Sequence, residues 1–343
     1  MSKKYGCLLA LVIFLLFLSL AVNLGQFAML AGDVDGAGSF SRPKPKHQFS
    51  ESVLGEAKKE SHDKILHIDL DGIISSLGSD GLFGDSLPDM HGIKRQLEQA
   101  VGDEKIKAIV LRINSPGGEV TASDILYNAV KKAAAKKPVV VYMDSMAASG
   151  GYYVACGATQ IVASETTLTA SIGVIIETMS YHELFSKVGL EANTFTSGAF
   201  KDSLNGARPM REDEKAYVQS LVTQMYDRFL GIVSAARKVP ADLLKATVAD
   251  GRVVTGRQAL EAKLVDKIGY VEDAYALARE LGKAADAGVV KYRSEHSIFD
   301  VLGLASAKAA PKQPVRIELG VGGSLLPSLQ PGVPYYLPSI FAR

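Results

Sequence analysis

The pattern of apolar and polar residues divides the chain into four parts. An apolar run covers residues 7–22, with weaker apolar sequence up to about residue 31. Residues 32–63 are polar and contain Gly, Ser and Pro, which is typical of a linker. Residues 64–305 carry regular apolar periodicity, and residues 306–343 are rich in Pro. We therefore predict a transmembrane anchor at 1–31, a linker at 32–63, one folded domain at 64–305 and an extended tail at 306–343.

The N-terminal apolar run fits a helix that crosses a membrane once. At about 1.5 Å per residue, a helix over residues 5–31 exceeds the roughly 30 Å hydrocarbon core of a bilayer. Lys3 and Lys4 precede the run, and Asp33 and Asp35 follow it. The positive-inside rule then places the N-terminus in the cytoplasm and the folded domain outside it. The alternative is a cleaved signal peptide, for which this apolar run is unusually long.

Strands and helices alternate in the folded part of the chain. The predicted strands cover residues 65–74, 106–113, 138–142 and 160–163, and the predicted helices cover 92–101, 121–136 and 211–237. Strands that alternate with helices of this length are typical of an α/β fold with much parallel pairing. A wide apolar stripe on the last helix is most simply explained by packing, either in the core or at a subunit interface.

Composition excludes several classes of function. Lys and Arg number 38 against 37 Asp and Glu, so the chain has no basic excess for binding nucleic acid. Two cysteines, Cys7 and Cys156, are too few for a disulfide scaffold or a closed zinc site. The six histidines lack the spacing of metal ligands, and no P-loop motif occurs. We expect neither a metal nor an organic cofactor.

Ser149 is the first candidate for chemistry because it lies between a predicted strand and a predicted helix. The strand at 138–142 precedes it, and Gly150 and Gly151 follow it. At such a turn the serine hydroxyl is accessible, while the amides at the helix start point towards the group that it attacks. The simpler interpretation is that Ser149 only caps the helix, as serines at helix starts usually do.

Three further segments favour a catalytic site. Residues 114–118 follow a predicted strand, and their glycine amides can hold an oxyanion together with the amide of Gly150. Ser171 supplies a second hydroxyl, and Lys201 follows small and aromatic residues in a loop. Burial in an apolar site can lower the pKa of a lysine from about 10.4 to about 7, where the amine can act as a base. A Ser-Lys pair is a known substitute for Ser-His-Asp, although a surface lysine paired with Asp202 is the simpler interpretation.

Together these segments resemble the bacterial signal peptide peptidase A (SppA) family. The motifs are Asn114-Ser-Pro-Gly-Gly118, Met146-Ala-Ala-Ser-Gly-Gly-Tyr-Tyr153, Thr169-Ala-Ser-Ile-Gly173 and Ser197-Gly-Ala-Phe-Lys-Asp202. The resemblance covers roughly residues 64–290 and is that of the short, single-repeat form. It implies a Clp-protease/crotonase-like α/β fold of repeated ββα units, and the activity of a serine endopeptidase that needs no cofactor.

The resemblance also implies a role for individual residues. Ser149 matches the nucleophile of the family, Lys201 its general base, and Ser171 the hydroxyl that orients this lysine. Gly118 and Gly150 match the two oxyanion-hole positions. The sequence leaves Gly117 open as an alternative to Gly118.

The same resemblance implies substrates and partners. The substrates would be remnant signal peptides at the outer face of the cytoplasmic membrane. The partners would be the lipid bilayer, through residues 5–31, and further copies of the chain in a homo-oligomeric ring. In such a ring, neighbouring subunits would contribute the serine and the lysine of each site.

Three other functions stay open at this point. A related membrane Ser-Lys protease would cut one specific membrane protein instead of signal peptides. A crotonase-type acyl-CoA enzyme would use the paired amides for its own oxyanion, with Ser149 as a helix cap and Lys201 as a phosphate contact. A non-catalytic membrane scaffold would keep the fold and tolerate the loss of both side chains.

Overall fold

The computed structural model of the protein describes residues 19–20, 49–54, 62–76, 89–294 and 335–336. The chain divides into two compact units, Met1–Lys46 and His47–Arg343, and nearly all described residues belong to the second. The predicted anchor at 1–31 lies outside the described residues, apart from 19 and 20. Within the described part of the chain, no helix has the length and apolar character needed to cross a bilayer.

The described secondary structure alternates between strands and helices, as predicted. The strands are β1 (Phe49–Leu54), β2 (Lys64–Asp71), β3 (Ile106–Ser115), β4 (Gly118–Glu119), β5 (Val139–Ala148), β6 (Gln160–Ala163), β7 (Leu168–Ala170), β8 (Val253–Thr255), β9 (Lys267–Ile268), β10 (Gly288–Ser294) and β11 (Tyr335–Tyr336). The helices are α1 (Met90–Gly102), α2 (Val120–Ala134), α3 (Gly150–Ala155), α4 (His182–Lys187), α5 (Glu212–Arg237), α6 (Ala241–Thr247), α7 (Gly256–Glu261) and α8 (Val271–Leu281).

Most strands belong to one predominantly parallel sheet. The strand order is β1-β10-β2-β3-β5-β6-β9, and β7 joins beside the second half of β5 and also pairs with β8. Within this sheet, the β1/β10 and β7/β8 pairs are antiparallel. The pairs from β10 through β2, β3, β5 and β6 to β9 are parallel, which confirms the predicted α/β class.

Helices cover both faces of the sheet and bury its apolar side chains. On one face, Ala274 and Ala278 of α8 pack against strand residues such as Val110 and Val140. On the other face lies the larger core, with contributions from α1, α2, α3 and the C-terminal part of α5. The strands are therefore buried on both sides, which explains why their sequences read as continuous apolar runs.

The largest departures from the prediction are at β5 and β1. β5 was expected to end near residue 142, but it continues to Ala148 because its second half pairs in parallel with β7. Asp144 and Ser145 interrupt the apolar run and hide this extension in the sequence. β1 lies within the segment predicted as a linker, and of its residues only Phe49 is buried. An edge strand with one buried side chain lacks the alternation that would reveal it.

Candidate active site

Ser149 lies at the turn between β5 and α3 in an unusual backbone conformation. Its φ angle is 52° and its ψ angle is −111°. The residue is fully buried, and within the described residues its hydroxyl has no hydrogen-bond partner. Ser149 occupies the N-cap position of α3, yet its side chain makes no capping hydrogen bond. The interpretation of Ser149 as an ordinary helix cap therefore does not fit the geometry, and its hydroxyl stays available for chemistry.

The end of β7 holds this turn in place. The N–H of Ser149 donates to the carbonyl oxygen of Ala170 over 2.7 Å. One pair earlier, Ala147 lies opposite Thr169, whose hydroxyl donates to the Ala147 carbonyl oxygen over 2.7 Å. These bonds fix the backbone on both sides of Ala148, so the direction in which Ser149 leaves the sheet is determined by β7.

Gly118 and Gly150 bring their backbones next to each other, as an oxyanion hole requires. A Cβ atom added to Gly150 would lie 3.1 Å from the Gly118 nitrogen and 3.1 Å from the Gly117 Cα. A Cβ added to Gly118 would lie only 1.9 Å from the Ile74 carbonyl oxygen. A side chain at Gly150 would therefore push against the backbone of residues 117 and 118, and one at Gly118 would push against Ile74.

The backbones of Gly117 and Gly118, the two candidates for the second donor, are bound differently: Gly118 pairs with Ile74 on one side and with Tyr336 on the other. The N–H of Gly117 donates to the hydroxyl of Ser115 over 3.1 Å, so it is already used. Gly117 also has a φ angle of 110°, which only glycine adopts without strain. Its role in the geometry is to turn the chain so that Gly118 follows in position beside Gly150.

Ser171 continues the strained turn beside Ser149. Its φ angle is 50°, its N–H donates to the Arg252 carbonyl oxygen over 2.9 Å, and its hydroxyl donates to the Gly251 carbonyl oxygen over 3.2 Å. A cavity of about 640 Å³ borders this residue, between the segments 171–175 and 249–251 and the side of α5. The Ser171 hydroxyl, the second candidate hydroxyl, thus lies at the edge of an open cavity.

Lys201 differs from the other candidate residues because it is exposed to solvent. It lies in a turn of an exposed segment, and its side chain is exposed. Within the described residues its amine makes neither a hydrogen bond nor an ion pair. The expected alternative partner, Asp202, instead binds the guanidinium of Arg208 over 2.7 Å. In a single chain the structure brings Ser149, Gly118, Gly150 and the start of the Ser171 turn together, and it leaves Lys201 in solvent.

The turn that carries Lys201 is nonetheless well anchored to the start of α5. Arg208 binds Asp202 and also the carboxylate of Glu214, a fully buried residue. Hydrogen bonding from Arg208, against the effect of burial, lowers the pKa of Glu214 to about 2. Arg211 donates to the Ala199 carbonyl oxygen over 2.9 Å, so two arginines connect the turn to the helix. The backbone around Lys201 is therefore held in place while its amine is free.

Sequence reasoning missed Glu119, Ile74 and Ser123, which surround the glycine loop. Ile74 hydrogen-bonds the backbone on both sides of Gly118, and the Ser123 hydroxyl would lie 2.5 Å from a Cβ on Gly150. Glu119 is the only charged residue between positions 114 and 123, directly after two glycines. This single charge was the one signal in the sequence that could have pointed to Glu119 as part of the site. The contribution of Ile74 depends on tertiary pairing and leaves no local pattern.

None of the histidines in the described part of the chain hydrogen-bonds to the Ser149 hydroxyl. His67 is buried on another part of the sheet, between the Asp69 carboxylate at 2.8 Å and the Tyr275 hydroxyl at 2.9 Å. In the part of the chain that the structure describes, no group of three or more His, Cys, Asp and Glu residues is placed to hold a metal ion.

Comparison with known proteins identifies the family. Residues 131–285 match peptidase family S49. The chain is 35% identical over 254 residues to a protein of Enterococcus faecium named for signal peptide peptidase SppA, covering 74% of this chain and 73% of that one. It is also 35% identical over 218 residues to a Methanocaldococcus jannaschii protein named as a protease, covering 64% of this chain and 70% of that one.

Among solved structures, a ClpP1 mutant from Listeria monocytogenes matches with a TM-score of 0.39 and 15% identity, over 61% of this chain and 93% of that chain. The resemblance to the SppA family is confirmed. The match of residues 131–285, together with 35% identity over 73% of the Enterococcus faecium protein, shows that the chain belongs to peptidase family S49.

Proposed function

We propose that this chain is a serine endopeptidase that uses a Ser149-Lys201 dyad to cleave apolar peptide segments, remnant signal peptides among them. The observation that carries the proposal is the buried hydroxyl of Ser149, which finds no hydrogen-bond partner among the described residues and adjoins the paired backbones of Gly150 and Gly118. A polar group buried without a partner is destabilising by about 1–3 kcal/mol, so its retention calls for a functional reason.

An extended peptide as substrate is supported by the surroundings of Gly118. The short strand β4 pairs on one side with Ile74, in parallel. On its other side it pairs antiparallel with Tyr335–Tyr336 from the tail of the chain. The backbone edge next to the candidate oxyanion hole therefore accepts an extended peptide segment, and pairing of this kind is a common way to bind peptides.

Sharing of the site between neighbouring copies is supported by the exposure of Lys201. The exposed segment that leads to Lys201 carries large apolar side chains in solvent, namely Met179, Leu184, Val188, Leu190, Phe195 and Phe200. Apolar clusters of this kind are typical of protein interfaces. Burial of this segment against a second copy would take the amine of Lys201 out of water, which is the condition under which a lysine becomes a base near neutral pH.

In the proposed mechanism, the neutral amine of Lys201 removes the proton of the Ser149 hydroxyl as its oxygen attacks the peptide carbonyl carbon. The N–H groups of Gly118 and Gly150 stabilise the resulting oxyanion. The protonated lysine then gives its proton to the departing amine as the C–N bond breaks. A water molecule, deprotonated by the same lysine, hydrolyses the acyl-enzyme and restores the serine. Ser171 would hold the lysine in its productive orientation.

We also propose that residues 5–31 anchor the protein in the cytoplasmic membrane, with the catalytic domain on the outer side. The apolar run and the lysines that precede it support this arrangement. The proposed substrate class agrees with it, because remnant signal peptides are apolar segments that lie in the same membrane.

The test compares the full-length chain with its Ser149→Ala and Lys201→Ala variants on a synthetic signal peptide in detergent micelles. Lys187, an exposed lysine of the same segment, supplies the matched control Lys187→Ala. We expect both dyad variants to lose cleavage by at least about a thousandfold, and the control to retain it. A fluorophosphonate probe should label the wild type and the control at Ser149. Full cleavage by Ser149→Ala or by Lys201→Ala would overturn the proposed dyad.

A further inference from the structure

Glu119 follows the candidate oxyanion loop directly, and its carboxylate is held by three donors. Oε1 accepts from the Ser75 hydroxyl over 2.8 Å, and Oε2 accepts from the Ser76 N–H over 3.0 Å and from the Ser76 hydroxyl. Glu119 is the N-cap residue of α2, where a carboxylate often binds the first amides of its own helix, but it makes no such bond. Its side chain binds instead to the segment that follows β2.

This segment controls the position of Gly118 through Ile74. The Ile74 N–H donates to the Gly117 carbonyl oxygen over 2.8 Å, and the Glu119 N–H donates to the Ile74 carbonyl oxygen over 2.8 Å. The two bonds flank Gly118, which packs so closely that a Cβ there would lie 1.9 Å from the Ile74 oxygen. A shift of Ile74 would therefore move the Gly118 amide with it.

The backbone of Glu119 is also tied to the other side of the site. Its carbonyl oxygen accepts from the Ser123 hydroxyl over 2.8 Å. The same hydroxyl lies where a Cβ on Gly150 would meet it, at 2.5 Å. Glu119 thus connects the Ile74 segment, the loop of Gly118 and the start of α3 at Gly150.

The negative charge of Glu119 decides whether this residue stabilises the oxyanion directly or fixes the backbone around it. A carboxylate so near the site would repel a developing oxyanion, so it cannot stabilise the transition state directly. Charge-assisted hydrogen bonds to a carboxylate are about twice as strong as neutral ones, which suits it to fixing backbone geometry. The three donors also spread its negative charge away from the glycine amides.

We propose that Glu119 is a positioning residue. By holding Ser75 and Ser76, it fixes Ile74 against β4 and thereby keeps the Gly118 N–H aimed at the oxyanion. This inference rests on the proposed peptidase function and adds a determinant of its rate. It predicts that Glu119 affects stabilisation of the tetrahedral state and leaves binding of the ground-state substrate almost unchanged.

The test measures kcat and KM for the full-length chain on the signal peptide, together with inhibition by a peptide aldehyde that forms a tetrahedral adduct with a serine. For Glu119→Ala we expect kcat to fall about 10- to 100-fold with KM within about twofold, because a displacement of about 1 Å has effects of this size. Inhibition by the aldehyde should weaken by the same factor as kcat. Glu119→Gln keeps the acceptor oxygen and should recover part of the loss, and Ser76→Ala should give a smaller fall.

The matched control is Glu51→Gln, which removes a carboxylate that pairs with Lys64 near the outer edge of the sheet. It should leave kcat, KM and aldehyde inhibition unchanged. An unchanged kcat in Glu119→Ala would overturn the positioning role, and so would a rise in KM at constant kcat, which would indicate a wall of the substrate groove. If Glu119→Ala fails to fold, Glu119→Gln and Ser76→Ala decide the matter by the same criteria. Retained activity in Ser149→Ala would instead refute the peptidase proposal itself, so the two failures are distinguishable.

Discussion

The N–H of Ser149 donates a 2.7 Å hydrogen bond to the carbonyl oxygen of Ala170, and both residues have positive φ angles, 52° and 62°. Ser171 extends this pair with a φ angle of 50°. Non-glycine residues in such conformations are each destabilising by about 1–3 kcal/mol, and they cluster at functional sites. The strain is thus concentrated in the two facing turns that carry the candidate nucleophile and the second hydroxyl.

Relief of this strain should stabilise the protein while it removes activity. Ser149→Gly permits the positive φ angle without steric conflict, so we expect it to raise the free energy of unfolding by about 1 kcal/mol. Ser149→Ala keeps a Cβ and should show no such gain from relief of strain. Chemical denaturation of both variants and the wild type measures the difference. Equal stability of Ser149→Gly and Ser149→Ala would show that the turn holds no strain.

A side chain at Gly150 should disable the site. A Cβ there meets the Ser123 hydroxyl at 2.5 Å and the Gly118 nitrogen at 3.1 Å, so Gly150→Ala separates the two candidate donors. We expect kcat to fall about 100- to 1,000-fold, as it does on loss of one oxyanion donor. The control is Gly102→Ala at the end of α1, where a Cβ meets nothing within 4 Å. Steady-state kinetics of both variants measures the effect, and unchanged kcat in Gly150→Ala would exclude this loop from catalysis.

The folded core was predictable because its strands are apolar along their whole length. The predicted strand at 160–163 coincides with β6, and the long helix begins one residue from its predicted start. The site was predictable only as a set of motifs. Neither the positive φ of Ser149 nor the contact between Gly118 and Ile74 follows from local sequence, because both depend on pairing with distant strands. Under the proposed sharing of the site, the exposure of Lys201 would likewise depend on whether a second copy is bound, which one sequence does not specify.

Loss of Glu214 should impair activity through the Lys201 turn. The buried Glu214 carboxylate holds Arg208, which in turn holds Asp202 beside the candidate base. Glu214→Ala should release the turn and lower kcat about tenfold, in line with the sensitivity of catalysis to small displacements. Its neighbour Glu212 is exposed and pairs with Lys215, so Glu212→Ala is the control and should retain full kcat. Equal kcat in the two variants would show that the anchoring of this turn has no influence on the chemistry.

Mixing of inactive variants tests whether the site is shared between copies. Ser149→Ala chains keep the lysine and Lys201→Ala chains keep the serine, so a neighbouring pair can restore one complete site. With random mixing of equal amounts in a closed ring, about a quarter of the sites should be complete. The two variants are unfolded, mixed and refolded together, and the activity is compared with that of the wild type treated in the same way. Mixed assemblies without any recovered activity would contradict sharing.

The ionic cluster around Asp69 should make stability fall in acid. Burial would raise the pKa of Asp69, but hydrogen bonds from His67 and Lys291 hold it well below its usual range. A carboxyl with a lowered folded-state pKa contributes stability above its unfolded pKa of about 3.9, and this contribution is lost as the pH falls through the folded value. Asp69→Asn should therefore be destabilised by about 2 kcal/mol at pH 7.

The difference between Asp69→Asn and the wild type should shrink as the pH falls below about 4, because the Asp69 carboxyl of the unfolded wild type then binds a proton that the folded state, with its lowered pKa, does not bind. Denaturation midpoints at several pH values measure this. Glu165→Gln, which removes an exposed ion pair with Arg257, is the control and should change stability by less than about 0.5 kcal/mol at every pH. A constant difference between Asp69→Asn and the wild type across the pH range would rule out the proposed linkage.

The carboxylate next to Lys201 is already neutralised, because Asp202 binds Arg208. Under the proposed sharing of the site, a newly made chain has no complete site until it meets a second copy. In an isolated copy the nucleophile is buried while the base lies in solvent, and Asp202, bound by Arg208, does not hold the amine in its charged form. Peptidase activity would then appear only after assembly. This would protect the cell's own membrane proteins while the enzyme is being synthesised.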